Sequence, residues 1–450
     1  MVCASGNRVE PPRFPAMLRA PLFPSKGRVR AVTMRAVPPS RRLMPVIAAL
    51  FLAWLTCSAR AADEAAVERG DAVFNAADCV GCHTDVKGGG KRLSGGRPLA
   101  TPFGTFFSPN ITPDKETGIG SWSDDDFRSA LQLGIGKGGV HLYPALPYAS
   151  FSGITDDDAL AIKAYLFSLK PVHSTPPTNA MRFPYDQRWL MAYWSWLFNP
   201  NVRFTPHPEQ SAQWNRGRYL VENLAHCGEC HTPRNFLQGR KGSEAFAGAV
   251  TQGWKAYNIS SDHDAGVGGW TEDALFAYLS QGVAPGHGPA SGPMAEAVSN
   301  SFRFLAADDV HAIVTYLKSV KPVATSASIL STATASSGVA VAATADAATA
   351  YGGQVFAGLC ANCHRRDGTM SQTPYDALGG SRTVADPQGI NLTQVILQGS
   401  SIESPYGKIS MPAFGKAHTD AEIAAVVNYV TGQLGGHSAG LTPEDVAQRR

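Results

Sequence analysis

Six cysteines fall in three frames of one form, each followed at once by histidine: Cys79-Val-Gly-Cys82-His83, Cys227-Gly-Glu-Cys230-His231 and Cys360-Ala-Asn-Cys363-His364. Cysteines three apart on a helical turn project from one face, so both thiols can reach the two vinyl groups along a single porphyrin edge. The residue next in sequence can then bring an imidazole nitrogen to the iron. Two other chemistries use closely spaced cysteines. Structural zinc takes four ligands, whereas each frame supplies three without a clear companion. A thioredoxin-like redox pair has no use for a histidine after every copy. The three frames therefore predict three covalently attached haem c groups, with His83, His231 and His364 as proximal iron ligands.

A low-spin carrier iron takes a second axial ligand, and methionine in that place raises its potential. Only five methionines lie beyond residue 61. Met294, in Gly292-Pro293-Met294, and Met411, in Ser410-Met411-Pro412, stand where a distal loop should be and are predicted as distal ligands. The residue 148 positions before Met294 is Leu146, which has no donor atom. The first iron must use Met181, Met191 or His141, or keep an open site, and the residues do not choose among these.

The elements that would position these groups are repeated. The first two frames are 148 residues apart, and at the same offset Asn110-Ile-Thr-Pro-Asp-Lys-Glu-Thr-Gly-Ile-Gly-Ser-Trp122 matches Asn258-Ile-Ser-Ser-Asp-His-Asp-Ala-Gly-Val-Gly-Gly-Trp270. Gly118 and Gly120, with Gly266 and Gly268, predict a tight turn at positive φ, and Trp122 and Trp270 lead into short helices as core residues. Each unit opens with a helix carrying small and aromatic residues: Gly70 and Phe74, Gly217 and Tyr219, Gly352 and Phe356. Each closes with a helix of one pattern, Ala161-Ile-x-x-Tyr165, Ala312-Ile-x-x-Tyr316 and Ala425-Val-x-x-Tyr429, behind an acidic start that suits a helix N-terminus. An opening helix crossing a closing helix, with haem between the connecting loops, is the cytochrome c plan. The expected fold is all-α, with three tandem cytochrome c domains at 64–172, 210–322 and 349–433. A Pro/aromatic linker at 173–209 reads as a strap over the first two domains or as a docking surface, an Ala/Ser/Thr linker fills 323–348, and 434–450 reads as a polar tail.

Residues 1–61 read as a leader: Arg41 and Arg42 precede a 12-residue uncharged run, Val46 to Cys57, and then Ala59-Arg60-Ala61. The expected location is periplasmic. The leader holds 10 of the 39 basic residues and one of the 36 acidic ones, so residues 62–450 carry 29 basic against 35 acidic residues. No basic stripe is left, and nucleic acid is not an expected partner.

The order of these pieces resembles the cytochrome c subunit of bacterial membrane-bound dehydrogenases acting on alcohols, gluconate, sugars or aldehydes. The resemblance covers residues 64 to 445 and adds His141-Leu-Tyr-Pro-Ala-Leu-Pro-Tyr148, Gly292-Pro-Met-Ala-Glu296 and Leu441-Thr-Pro-Glu-Asp-Val446 to the blocks above. It departs at Leu146 and in lacking an evident C-terminal membrane helix. It implies an electron-transfer subunit beside a catalytic subunit with a quinone cofactor, flavin or molybdenum centre, passing electrons to ubiquinone or a terminal oxidase, with peripheral membrane association. The alternatives are a free-standing or oxidase-associated carrier and, more remotely, a haem enzyme with an open distal site on the first haem.

Overall fold

Each attachment frame is bracketed by two helices that cross, and the crossing is the same three times. A computed structural model of the chain describes residues 63–324, 347–369, 373, 375, 377–404 and 407–450. The expected leader, with Cys3 and Cys57, and residues 325–346 of the Ala/Ser/Thr linker lie outside the described residues. The opening helices are 63–76, Ala212–Tyr219 and Ala347–Leu359; the closing helices are Asp156–Ser168, Ala307–Ser319 and Asp420–Leu434. Where they meet, Gly70, Gly217 and Gly352 face the carbonyls of Ala161, Ala312 and Ala425. A Cβ on any of the three would collide with that carbonyl and lie 2.8 Å from the Cβ of Tyr165, Tyr316 or Tyr429. Only glycine lets the backbones approach this closely.

The closing helices start where their residues dictate. Thr155 and Thr419 accept hydrogen bonds from the N–H groups of Asp158 and Glu422, and acidic residues fill the first turns. No side chain caps the helix Ala307–Ser319, but Asp309 in its first turn holds Arg216 of the opening helix at 2.7 Å. The second opening helix passes into a π-helical turn, Leu220–Leu224, before its attachment frame. In this unit Trp214 packs on Tyr316, 5.1 Å between ring centres, as Phe74 packs on Tyr165 and Phe356 on Tyr429. Tyr219 is therefore not the counterpart of Phe74; its hydroxyl reaches unit one and meets Asp158 at 2.6 Å.

The framework is helical, but the connections contain short antiparallel strands that an all-α fold does not include. Ile135–Gly136 pairs with Val140–His141, and its counterpart 148 residues on, Val283–Ala284, pairs with Gly288–Pro289. Pro98–Thr101 pairs with Gly104–Phe107, Ala249–Thr251 with Trp254–Ala256, and Ser400–Ser404 with Gly407–Met411. Residues of units one and two form one continuous hydrophobic core, whereas unit three has a core of its own. Unit three reaches across: Ile402 is buried in the shared core, against Gly282, and Tyr375 and Ile409 pack on that core.

The linker at 173–209 is a strap on its inner side. Ala180–Met181 adds a strand to Gly104–Phe107, Trp194 donates to the Leu237 carbonyl at 2.8 Å, and Asn199 donates to the Gln132 carbonyl at 3.0 Å. The linker also carries exposed apolar side chains: Phe183 and Trp196 are 81% and 80% exposed, and Trp189, Tyr193 and Leu197 are exposed as well. The chain's end is more ordered than a polar tail. Pro443–Arg449 is a helix with a Thr442/Asp445 capping box, it buries Val446, and Arg449 binds Thr393 Oγ1 at 3.0 Å. Among the described residues no helix is long and apolar enough to cross a membrane.

Candidate haem centres

The attachment frames form short helices, Cys79–His83, Gly228–His231 and Ala361–His364, so each cysteine pair shares one side and each histidine closes its turn. The first two histidines are held alike. His83 Nδ1 lies 2.8 Å from the Pro109 carbonyl and His231 Nδ1 lies 2.6 Å from the Tyr257 carbonyl. An Nδ1–H donated to a carbonyl fixes the tautomer and leaves the Nε2 lone pair for a metal.

Those carbonyls belong to the residues just before Asn110 and Asn258, and this accounts for the duplicated block. Asn110 accepts from the Thr112 N–H at 2.9 Å and donates to the Val172 carbonyl at 2.8 Å. Asn258 accepts from the Ser260 N–H at 2.8 Å and donates to the Val323 carbonyl at 2.7 Å. Each asparagine ties the loop that holds the histidine to the chain leaving the closing helix. The glycines of the block serve close backbone approach and not positive φ. A Cβ on Gly118 or Gly266 would collide with the carbonyl of Thr112 or Ser260, and neither is among the positive-φ glycines.

The donor set fits haem better than its competitors. Burial pushes the Cys82 and Cys360 thiols up to about 11 and Cys227 up to about 12, and it raises Cys79 and Cys230 as well. A dithiol redox pair needs a stabilised thiolate, which is the opposite shift. Burial also lowers His83 and His231 below the usual imidazole range, only partly opposed by their carbonyl partners, so both rings are neutral at pH 7. Yet Cys82 is exposed and Cys79, Cys227 and Cys230 only half-buried by surface area. Groups deep in the protein mass that still present surface line a cleft. In unit three that cleft is apolar, and Val355, Leu359, Ile396 and Phe414 bring Cys360 and Met411 to one space. Among the described residues no three His, Cys, Asp or Glu side chains converge as a metal cage would require.

The other expected ligands are placed differently. Met294 lies in the first turn of a helix, Gly292–Asn300, and not in a loop; it is half-buried against the shared core. Leu146 packs on that core too. Met181 is in the strand paired with Gly104, Met191 is in the linker helix Leu190–Phe198, and His141 is in the hairpin opposite Ile135.

Units one and two dock reciprocally, a feature that sequence reasoning missed. The helix Gly292–Asn300 of unit two lies against the attachment helix Cys79–His83, where Arg97 binds the Gly81 carbonyl and pairs with Glu296 at 2.6 Å. In return Tyr148–Phe151 of unit one lies against the turn Leu220–Leu224, and Ser150 donates to Glu229 of the second frame at 2.7 Å. Burial works against the Glu229 charge, but Arg240 and Arg234, at 3.4 and 2.6 Å, hold its carboxyl below the usual range. Cys82 and Cys230 lie within electrostatic reach of each other. The two attachment sites are thus neighbours. Unit three joins unit two through Lys255, which pairs with fully buried Asp386 at 2.7 Å, and through two hydrogen bonds between Asn391 and the Lys255 backbone.

Comparison with known proteins accords with this geometry. Residues 67–170 match the family described as Cytochrome c, and residues 347–430 match Cytochrome C oxidase, cbb3-type, subunit III. The chain is 38% identical to the gluconate 2-dehydrogenase cytochrome c subunit of Pantoea cypripedii, over 91% of this chain and 95% of the relative. It is 36% identical to the fructose dehydrogenase cytochrome subunit of Gluconobacter japonicus, over 85% and 82%. A diheme cytochrome c-type protein of Cereibacter sphaeroides is 37% identical over 56% of this chain and 85% of its own length.

Proposed function

This chain belongs to the cytochrome c subunits of bacterial dehydrogenases, and from that premise we propose how it carries electrons and between which partners. It is an electron-transfer subunit. Three haems are attached at Cys79/Cys82, Cys227/Cys230 and Cys360/Cys363, one in each of the domains 64–172, 210–322 and 349–433. His83, His231 and His364 are the proximal ligands, with Met294 and Met411 distal in the second and third. When bound, haem supplies one-electron chemistry at iron. The protein's own residues supply the rest: thiols for attachment and carbonyls that set the histidine tautomer. The observation that carries this reading is the paired geometry of His83 on Pro109 and His231 on Tyr257, two rings held by Nδ1 with Nε2 free.

The electron donor is a dehydrogenase catalytic subunit with a quinone cofactor, flavin or molybdenum centre, and the acceptor is ubiquinone or a terminal oxidase. Reciprocal docking of the first two units supports rapid exchange between them, and Ile402 with the Lys255–Asp386 pair keeps the third unit in contact. The complex works on the periplasmic side of the inner membrane. The exposed Trp189, Tyr193 and Trp196, at the start of and along the helix Leu190–Phe198, support attachment there, since aromatic rings of this kind favour the interface between lipid and water.

The test is an affinity-tagged chain purified from its own host under mild detergent. A large dehydrogenase subunit should come with it, and that subunit's substrate should reduce the haem absorbance within the complex. A chain recovered alone, which no substrate of a companion enzyme reduces, would point to a free-standing carrier.

A further inference from the structure

Arg382 stands in unit three, at the start of the short helix Arg382–Ala385, but its guanidinium lies inside unit two. It donates to the Asn258 carbonyl at 3.2 Å, to the Ala265 carbonyl at 3.0 Å and to the Gly266 carbonyl. Its own carbonyl accepts from the Tyr257 hydroxyl at 3.3 Å. These partners are the loop that holds His231 and the turn next to it. The cation sits over Trp270, 6.0 Å from the ring centre, and His287 stacks on the same ring at 3.5 Å. Burial lowers the Arg382 pKa, and its charge acts on His231 and on His287.

A buried cation needs a counter-charge. Among the described residues no carboxylate lies within ion-pair distance of Arg382; Asp262 acts on it only from farther off. Three carbonyls solvate the guanidinium without neutralising it. Haem brings two propionate carboxylates of its own, and the site of interest is beside the histidine that unit two offers to iron.

We propose that Arg382 is the cationic partner of a porphyrin propionate in unit two, so that docking of unit three raises the reduction potential of the second haem. The charge comes in trans, from a different unit than the one that binds the group. Reduction adds one electron to iron(III), giving iron(II) with one unit less positive charge. A fixed cation nearby stabilises the reduced form, and its removal lowers the potential. Arg382 is a positioning and tuning residue and not an iron ligand. The inference rests on the reading that unit two holds haem on Cys227, Cys230 and His231.

The test is a spectropotentiometric titration of the full chain with haem attached. Arg382→Gln keeps a donor for the carbonyls and removes the charge. It should weaken reduction of the second haem at least tenfold, about 59 mV lower for one electron, while the other two haems hold their midpoints. Arg382→Lys should stay near the wild-type value. Asp262→Asn keeps the turn's acceptor oxygen but removes an opposing charge, and it should raise the same midpoint. Arg382→Lys, which keeps the cation, still tests the proposal if Arg382→Gln fails to fold. A second haem whose midpoint ignores both changes, or one that Arg382→Lys lowers as far as Arg382→Gln, overturns the proposal and assigns Arg382 to docking alone. Failure of the underlying reading is seen separately, as a chain whose Cys227 and Cys230 carry no haem by mass.

Discussion

Gly352 and Gly358 lie six residues apart in one helix, Ala347–Leu359, and the structure assigns opposite outcomes to the same change at each. In a helix interior alanine is favoured over glycine by about 0.5–1 kcal/mol. At Gly358 a Cβ meets no atom within 4 Å, so Gly358→Ala should add up to that much stability. At Gly352 the Cβ would strike the Ala425 carbonyl and lie 2.8 Å from the Tyr429 Cβ, and neither is the free end of a flexible chain. The helices must separate, which costs roughly 1–3 kcal/mol or more in a packed interior. Gly352→Ala should therefore be net destabilising despite its better propensity. For a unit of this size about 4–8 °C of melting temperature accompanies each kcal/mol. Thermal unfolding monitored by far-ultraviolet dichroism on both variants reads the two signs. If Gly352→Ala melts at or above the wild type, as Gly358→Ala should, the helices do not cross at this glycine and the repeated crossing is wrong.

Three further outcomes are expected. Burial pushes Asp78 from 3.8 up to about 7, so the folded state keeps a proton that the unfolded chain releases. Stability should fall as pH rises from about 4 to 7, by on the order of 4 kcal/mol, and Asp78→Asn should remove that fall; denaturant titrations at pH 4.5 and 7.5 in which both proteins lose the same unfolding free energy would show otherwise. Met294→Ala and Met411→Ala should each abolish the methionine–iron absorption band of one haem and lower its potential on the order of 0.1 V, within the range of about 0.8 V that axial ligands command. An unchanged spectrum removes that methionine from the ligand set. Replacing Trp189 and Trp196 together with serine should weaken binding to lipid vesicles about tenfold or more, given the apolar area withdrawn from the interface, as read by co-sedimentation. Equal sedimentation with wild type would place attachment elsewhere.

Local patterns carried much of this fold. The attachment frames, the acidic helix starts and the Ala-Ile-x-x-Tyr closing pattern are spacings within a few residues, and the chain obeys them. The 148-residue repeat also exposed the Asn110 and Asn258 blocks, though not their task, because a side chain's long-range partner leaves no periodic trace. Misreadings arose where tertiary contact chose between equal local options. Gly118 and Gly266 suit a positive-φ turn, yet the neighbouring carbonyl is what excludes a Cβ. Tyr219 was the nearest aromatic to Gly217 on one side, but Trp214 on the other packs on the closing helix while Tyr219 serves unit one. Arg97 with Glu296, and Ser150 with Glu229, lie 199 and 79 residues apart, so the docking of the first two units was beyond any reading of neighbours. Arg382, a lone cation in an unpatterned stretch, was equally silent.

The electron path proposed for this chain rests on thioether bonds at all three cysteine pairs. Intact mass of the purified protein, read beside a pyridine haemochrome assay, counts porphyrins per chain directly. Three covalent haems and no titratable thiol among Cys79, Cys82, Cys227, Cys230, Cys360 and Cys363 is the result expected; fewer haems, with free thiols or bound zinc at any frame, would contradict it.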